Sequence, residues 1–267
     1  MYKKIMLAVD KDSDIEMMIS YVSTYLDEEG SISPVHIIAT KRFPEITREW
    51  RKMGSIISKS YEAEVPPKTD ITPHIRSARN VVDGLLETAE EIKADAIFML
   101  LTTPKPSNKY FFNGKIDAII RYSPVDVVVF NKMAFLTKTK KLNILIPVLN
   151  KKTPAKLLKF AEELAEKKNG RVSILYIEPK SNAVKRSPVV NGVNFFVKNI
   201  LLAPYKIIDT SQIVNYILEE AKKENYGVIL LSEEVLVGKI FTSIAKILYE
   251  ISKKAPCPIL YVKNVEG

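Results

Sequence analysis

The chain has few residues of the types that build metal sites or covalent frameworks. Its 267 residues include one cysteine, Cys257, and two histidines, His36 and His74. A single cysteine cannot form a disulfide framework, and these three side chains are too few for a Cys/His zinc site. We therefore expect neither structural disulfides nor a metal centre.

Long apolar runs are also absent. No stretch remains apolar over the roughly 18 residues that a membrane span requires. The opening segment MYKKIMLAVDKD becomes acidic before the apolar core of a signal peptide could form. With 46% hydrophobic residues, the composition is that of an ordinary globular protein. We expect a cytoplasmic chain without membrane insertion.

Positive charge is unevenly distributed along the chain. The net charge is +9, which would by itself suggest a polyanionic partner. Residues 1–133 carry 18 Lys and Arg against 19 Asp and Glu, a balance of −1, whereas residues 134–267 carry 22 against 12, a balance of +10. The sequence has no RNA-recognition, helix-turn-helix or zinc module, so we expect no specific nucleic-acid partner.

An internal repeat divides the chain into two halves. Lys3–Asp10 is echoed by Leu142–Leu149, and Val81–Leu100 is echoed by Gln212–Leu231. Each half has the length of one folding unit. We predict domains at residues 1–133 and 142–267, with a basic linker at 131–141.

Short apolar runs alternate with amphipathic segments of helical period, which predicts α/β domains with parallel sheets. The runs are apolar without alternation, as in strands that are buried on both faces. Predicted strands lie near residues 4–9, 33–40, 71–76, 95–101 and 126–130, then 142–148, 171–177, 204–208, 227–231 and 258–262. Helices are predicted at 14–28 and 154–168, with Ser13 and Thr153 as N-caps and with Gly30 and Gly170 where helices end.

The fold class follows from this pattern: two doubly wound, Rossmann-like domains in tandem, each with a five-stranded parallel sheet. The last predicted strand of each half, VDVVVF or PILYV, is strongly apolar and needs a covering partner if it lies at a sheet edge. We expect the two halves to pair through these strands as an intramolecular pseudo-dimer, and homodimerisation is an alternative.

Three features in a fixed order, echoed in the second half, resemble the universal stress protein family in its tandem form. They are a first strand ending in AVD, a helix and strand reading LLETAEEIKADAIFML, and a closing SPVDVVVF or APCPILYV. The resemblance covers nearly the whole chain. It implies a role in stress response and, in some members, binding of ATP or AMP.

In the first half the match to the family's nucleotide motif is incomplete. Members that bind ATP have an aspartate at the end of the first strand and a stretch G-x2-G-x9-G-[ST] after the fourth. Asp10 matches the aspartate, and Gly114-Lys115 take the place of the final Gly-Ser pair. Leu101 and Pro104 stand where the two earlier glycines belong, and proline has no amide hydrogen to donate. The resemblance therefore implies at most a modified site.

Lysine side chains could meet phosphates there as point charges. The candidate nucleotide-binding residues are Asp10, Lys105, Gly114 and Lys115. Two alternatives remain open, since Asp10 could instead cap the following helix and Gly114 could be a simple turn glycine.

The second half departs further from the family pattern. Leu149 replaces the aspartate, Thr242-Ser243 replace Gly-Ser, and Glu233 and Glu234 would repel a triphosphate. We expect no family-type ATP site there. Basic residues after the predicted strands are instead candidates for contact with an anion or an acidic partner: Lys151, Lys152, Lys180, Lys185, Arg186 and Lys239.

Signals for catalysis are weak. His36 and His74 lie within predicted strands, where structural histidines are more common than bases, and Cys257 begins a predicted core strand. The leading hypothesis is a non-enzymatic regulatory or nucleotide-sensing protein. Two alternatives are an adaptor for an acidic partner or a transporter, and a weak ATP hydrolase that uses Asp10.

Overall fold

The computed structural model describes residues 1–10, 13–39, 53–101, 114–132, 141–148, 155–179, 200–202, 206–209, 212–223, 226–232, 250–251 and 254–263. The chain divides into two compact units. Unit 1 comprises Met1–Phe135 with Lys263–Gly267, and unit 2 comprises Leu136–Val262.

Unit 1 alternates strands and helices. Its described elements are β1 (Tyr2–Ala8), α1 (Ile15–Val22), β2 (Leu26–Ala39), α2 (Met53–Glu62), β3 (Asp70–Ile71), β4 (His74–Ala78), α3 (Val81–Glu91), β5 (Ala96–Leu101), α4 (Gly114–Tyr122) and β6 (Asp126–Asn131). The strands form a parallel sheet in the order β6-β5-β1-β2, with both β3 and β4 paired to β2.

The core of unit 1 follows from the apolar runs of the central strands. Ile5, Met6 and Leu7 of β1 are fully buried, as expected for a strand with helices on both faces. Aromatic rings fill one end of this core, where Phe98 lies 5.4 Å from Tyr25 between ring centroids. Burial raises the pKa of Tyr21 to about 12, and its hydroxyl lies 2.5 Å from that of Tyr25.

The predicted helix at 14–28 is too long, and the predicted cap is wrong. The N-cap of α1 is Asp14 rather than Ser13, and α1 ends at Val22 before a short 3-10 turn. The chain enters β2 at Leu26 because this buried side chain pairs with the start of β1. Gly30 therefore lies inside a strand rather than at a helix end, and a Cβ on it would come 2.9 Å from the carbonyl oxygen of Lys3.

Unit 2 has a similar alternation. Its described elements are β7 (Ile144–Val148), α5 (Ala155–Lys167), β8 (Val172–Pro179), β9 (Ile200–Leu202), β10 (Lys206–Ile208), α6 (Ile213–Lys223), β11 (Val228–Ser232) and β12 (Ile259–Lys263). The parallel order is β10-β8-β7-β11-β12, and β9 also pairs with β8.

Both units confirm the predicted α/β class with largely parallel sheets. The predicted helix at 154–168 corresponds to α5, and Gly170 follows its end, donating its amide hydrogen to Ala165 O over 2.8 Å. The predicted strand at 71–76 is interrupted and appears as β3 and β4. Pro73 lies between the two and cannot donate to a strand ladder.

Candidate functional site

The order of strands in unit 1 determines where a ligand crevice forms. The chain moves outward from β1 to β2 and β4, then returns across the sheet to β5 on the other side of β1. Right-handed crossovers in these opposite directions place α1 and α2 on one face and α3 and α4 on the other. The contacts of α1 with α2 and of α3 with α4 agree with this arrangement. The reversal lies between β1 and β5, and ligands of such folds bind at the carboxyl ends of the strands there.

A cavity of about 160 Å³ opens at this edge. Its lining comes from the ends of β1, β2 and β5 and from the first turns of α3 and α4: Ala8, Val9, Asp10, Ser13, Val35, His36, Ile37, Val81, Leu85, Met99, Leu100, Lys115 and Ile116. Most of these side chains are apolar, with a carboxylate, a hydroxyl, an imidazole and an ammonium group among them. This mixture is typical of small-molecule sites.

Asp10 lies in a tight turn after β1. Its amide hydrogen is donated to Ser13 Oγ over 2.9 Å, and the Ser13 amide donates back to Asp10 O over 3.0 Å. The cap of α1 is Asp14, whose carboxylate faces the amide of Met17 at 3.5 Å. The helix-capping role therefore belongs to Asp14, and the exposed Asp10 lines the cavity.

Gly114 and Lys115 form the beginning of α4. Gly114 is the first residue of the helix, and the exposed Lys115 lines the cavity. A helix N-terminus and a lysine together make the local potential positive. In the same turn, burial raises the pKa of Asp117, and the charge of Arg121 partly opposes this effect. The two predicted site residues Asp10 and Lys115 thus share one cavity.

Other predicted residues of the first half divide into two groups. Leu101 is the buried last residue of β5, so an apolar strand end stands where the family motif begins. Lys105 and Pro104 lie outside the described residues.

His36 is buried, with 8% of its surface exposed, and its Nδ1 lies 3.1 Å from Val9 O. The prediction that it is a buried or hydrogen-bonded histidine is confirmed, but the sequence reasoning missed that it also lines the cavity. Its position near the carboxyl end of a predicted strand next to β1 was the available signal. Ser13 was likewise assigned to a helix cap rather than to the cavity.

His74 is not among the residues that line this cavity. It begins β4, where burial lowers its pKa and the positive charge of Arg76 lowers it further. Arg76 makes a two-point ion pair with Glu91, in which Nη2 donates to Oε1 over 2.7 Å. These residues connect β4 to α3.

In unit 2 the predicted anion-contact residues lie outside the described residues. They are Lys151, Lys152, Lys180, Lys185, Arg186 and Lys239. Cys257 is described, and burial raises the pKa of its thiol to about 12. It is a small core side chain, as the sequence predicts.

Two further findings concern the described ranges. There, no three side chains of the His, Cys, Asp and Glu types come together as a metal site would require. Among the same residues, no helix has both the length and the apolar character to cross a membrane.

Comparison with known proteins identifies the fold. No model of a known protein family matches the chain, and no curated protein matches it. A solved universal stress protein from Archaeoglobus fulgidus aligns with 98% of this chain and 97% of its own length, with a TM-score of 0.68 and 14% identity. The chain has the universal stress protein fold.

Two further structures share the universal stress protein fold over nearly the whole chain. A putative universal stress protein from Pseudomonas aeruginosa covers 98% of this chain and 94% of its own, with a TM-score of 0.59 and 10% identity. The cytoplasmic domain of a prokaryotic cation chloride cotransporter covers 97% and 94%, with a TM-score of 0.58 and 10% identity. The fold predicted from the resemblance is confirmed at this level.

Proposed function

We propose that the chain is a non-enzymatic, cytoplasmic regulatory protein of universal stress type that binds an adenine nucleotide in the unit 1 cavity. The observation that carries the proposal is the convergence of Asp10 and Lys115 on one cavity at the carboxyl edge of the sheet. Ligand binding there would alter the arrangement of the crevice and so the affinity for a partner.

The side chains of the cavity fit the parts of a mononucleotide. Val35, Ile37 and Leu85 offer apolar surface for a base. The Asp10 carboxylate accepts hydrogen bonds, as the hydroxyls of a ribose require. Lys115 supplies positive charge at a helix N-terminus, where phosphate is favoured.

The size of the cavity bears on which nucleotide binds. At about 160 Å³, it is smaller than the roughly 300–1,000 Å³ of sites that enclose drug-sized ligands. We propose that the cavity encloses base and ribose and leaves the phosphates at its mouth, near Lys115. If so, AMP should bind nearly as tightly as ATP.

In the second half we propose that the family-type ATP site is lost, because Leu149 replaces the aspartate. We propose two universal-stress-type domains, residues 1–133 and 142–267, of which only the first binds nucleotide. The second carries the basic excess of the chain and contacts an acidic partner.

One alternative function has a specific observation in its favour. The fold is shared with the cytoplasmic domain of a cotransporter, and the basic half suits an acidic partner. In this alternative the chain is an adaptor whose partner affinity falls with salt and is independent of nucleotide.

Isothermal titration calorimetry with ATP, AMP and cyclic AMP tests the proposal. We expect Asp10→Asn and Lys115→Gln each to weaken AMP binding about tenfold, because each removes one charged partner of the ligand. Glu87→Gln on α3 and Lys59→Gln on α2 are matched controls, since both are exposed, lie off the cavity and change charge equally.

Two further results complete the test. A phosphate-release assay with ATP should show no turnover, and release that Asp10→Asn abolishes would favour the hydrolase instead. Absence of heat with all three nucleotides would remove nucleotide binding altogether and leave the adaptor.

A further inference from the structure

Three hydrogen bonds hold the chain at Val9 and Asp10, and two of them act on the peptide that joins these residues. The Val9 amide, which belongs to the preceding peptide, donates to Val35 O over 3.0 Å. In the joining peptide, Val9 O lies 3.1 Å from His36 Nδ1, and the Asp10 amide donates to Ser13 Oγ over 2.9 Å. All of these residues line the cavity. The direction in which Asp10 leaves the sheet is therefore set by hydrogen bonds as well as by packing.

One of these bonds departs from the regular ladder. The paired register of β1 with β2 ends at Ala8 and Val35, so Val9 lies just beyond the ladder. In a continuing parallel ladder its carbonyl would accept from a backbone amide of β2. Here a side chain of β2 takes that place, and the imidazole of His36 acts as the last partner of β1.

The chemistry of this contact shows which ring nitrogen carries a hydrogen. A carbonyl oxygen only accepts, so Nδ1 must carry the hydrogen and donate it. The ring is buried, and breaking the bond would leave a buried polar group without its partner, which is costly. The contact therefore holds the Val9 carbonyl firmly.

We propose that His36 is a positioning residue for ligand binding. Through Val9 O it holds the peptide that carries Asp10, and so it keeps the Asp10 carboxylate at the cavity wall. The inference rests on the proposed function, because it takes Asp10 as the group that meets the ligand. It adds a residue of β2 that acts on the ligand through Asp10.

Three substitutions distinguish a role through this hydrogen bond from a role in packing the core alone. His36→Asn places an amide nitrogen close to the position of Nδ1 and keeps the donor. His36→Gln places its amide one bond further out, near the position of Nε2. His36→Leu removes the donor and keeps an apolar side chain.

The first measurement needs no ligand. Amide hydrogen exchange at Asp10 and Ser13, followed by NMR, should be about tenfold faster in His36→Leu and His36→Gln than in the wild type. His36→Asn should stay near the wild-type rate. If His36→Leu fails to fold, the comparison of His36→Asn with His36→Gln still tests the proposal. Equal exchange in those two variants would overturn the proposal.

The second measurement is a thermodynamic cycle in AMP affinity. We expect His36→Gln to weaken AMP binding about fivefold to tenfold in the wild-type background and to have no effect in Asp10→Asn, since it acts through Asp10. Additive losses would overturn the positioning role. If the wild type binds no nucleotide, the proposed function fails, while the exchange measurement still decides whether His36 holds the Asp10 turn.

Discussion

Replacing Gly84 with alanine tests how closely α3 approaches the sheet beneath the cavity. A Cβ on Gly84 would lie 2.7 Å from Ala78 Cβ and 2.8 Å from Ile37 Cγ2. The Ala78 atom is itself a Cβ and cannot rotate away. The Ile37 methyl group could move only if this buried, β-branched side chain left its preferred χ1 rotamer. The helix would have to move off β2 and β4.

Two opposing effects set the magnitude. Alanine is favoured over glycine inside a helix by about 1 kcal/mol, whereas overpacking a core costs about 1–3 kcal/mol. We expect a net loss of up to about 2 kcal/mol in the free energy of unfolding. Gly54→Ala in α2 is the matched control, because a Cβ there meets nothing within 4 Å. It should gain up to about 1 kcal/mol.

Urea unfolding measures the difference between the two variants. Far-UV circular dichroism follows the loss of helical structure during unfolding. We expect the free energies of unfolding of the two variants to differ by about 2 kcal/mol. Because Ile37 also lines the cavity, Gly84→Ala should weaken AMP binding as well. Equal stabilisation by both substitutions would refute the close approach of α3.

Three further predictions concern other parts of the chain. Gly170→Ala should lower the free energy of unfolding by about 3 kcal/mol or more, because a Cβ there would lie 1.8 Å from the backbone oxygen of Leu142. A variant that melts at the same temperature as the wild type, followed by circular dichroism, would contradict this. Asp95→Ala should lower the free energy of unfolding in urea by about 1 kcal/mol, since this exposed carboxylate accepts two amide hydrogens of β1, each over 2.8 Å. Asp95→Asn keeps one acceptor and should lower it less. Equal losses of stability in the two variants would argue against the contact. Burial raises the pKa of Cys257 to about 12 from 9.0, so the stability that the buried thiol contributes is complete below pH 9.0 and is lost as the pH rises through about 12. Cys257→Ala should reduce this alkaline loss of stability. Rapid reaction of the native thiol with Ellman's reagent at pH 8 would contradict the burial of Cys257.

Strand and helix types could be predicted from sequence because the short apolar runs are uninterrupted and recur in the same order in both halves. Boundaries were less predictable where a long-range contact decides them. The helix at 14–28 was predicted too long because the amphipathic pattern runs on past Val22, whereas burial of Leu26 against β1 begins the strand earlier. The break between β3 and β4 does have a signal in the sequence, because Pro73 cannot donate to a strand ladder.

The candidate site was predictable in part. Asp10 and Lys115 could be identified because they stand at two positions of the nucleotide motif that the family resemblance supplied. His36 could not be assigned to the site in this way, since its role depends on a 3.1 Å contact with Val9 O. The pairing of the two halves through their last strands stays a prediction, as do the six basic residues proposed for anion contact in the second half.

The central claim is that an adenine nucleotide binds in the unit 1 cavity at Asp10 and Lys115. An NMR titration of the intact, ¹⁵N-labelled chain with AMP tests it most directly, because each amide reports its own surroundings. We expect saturable shifts at the amides of Asp10, Ser13 and Lys115, with α6 of unit 2 unchanged. Shifts confined to unit 2, or no shifts at these three amides at saturating AMP, would contradict it.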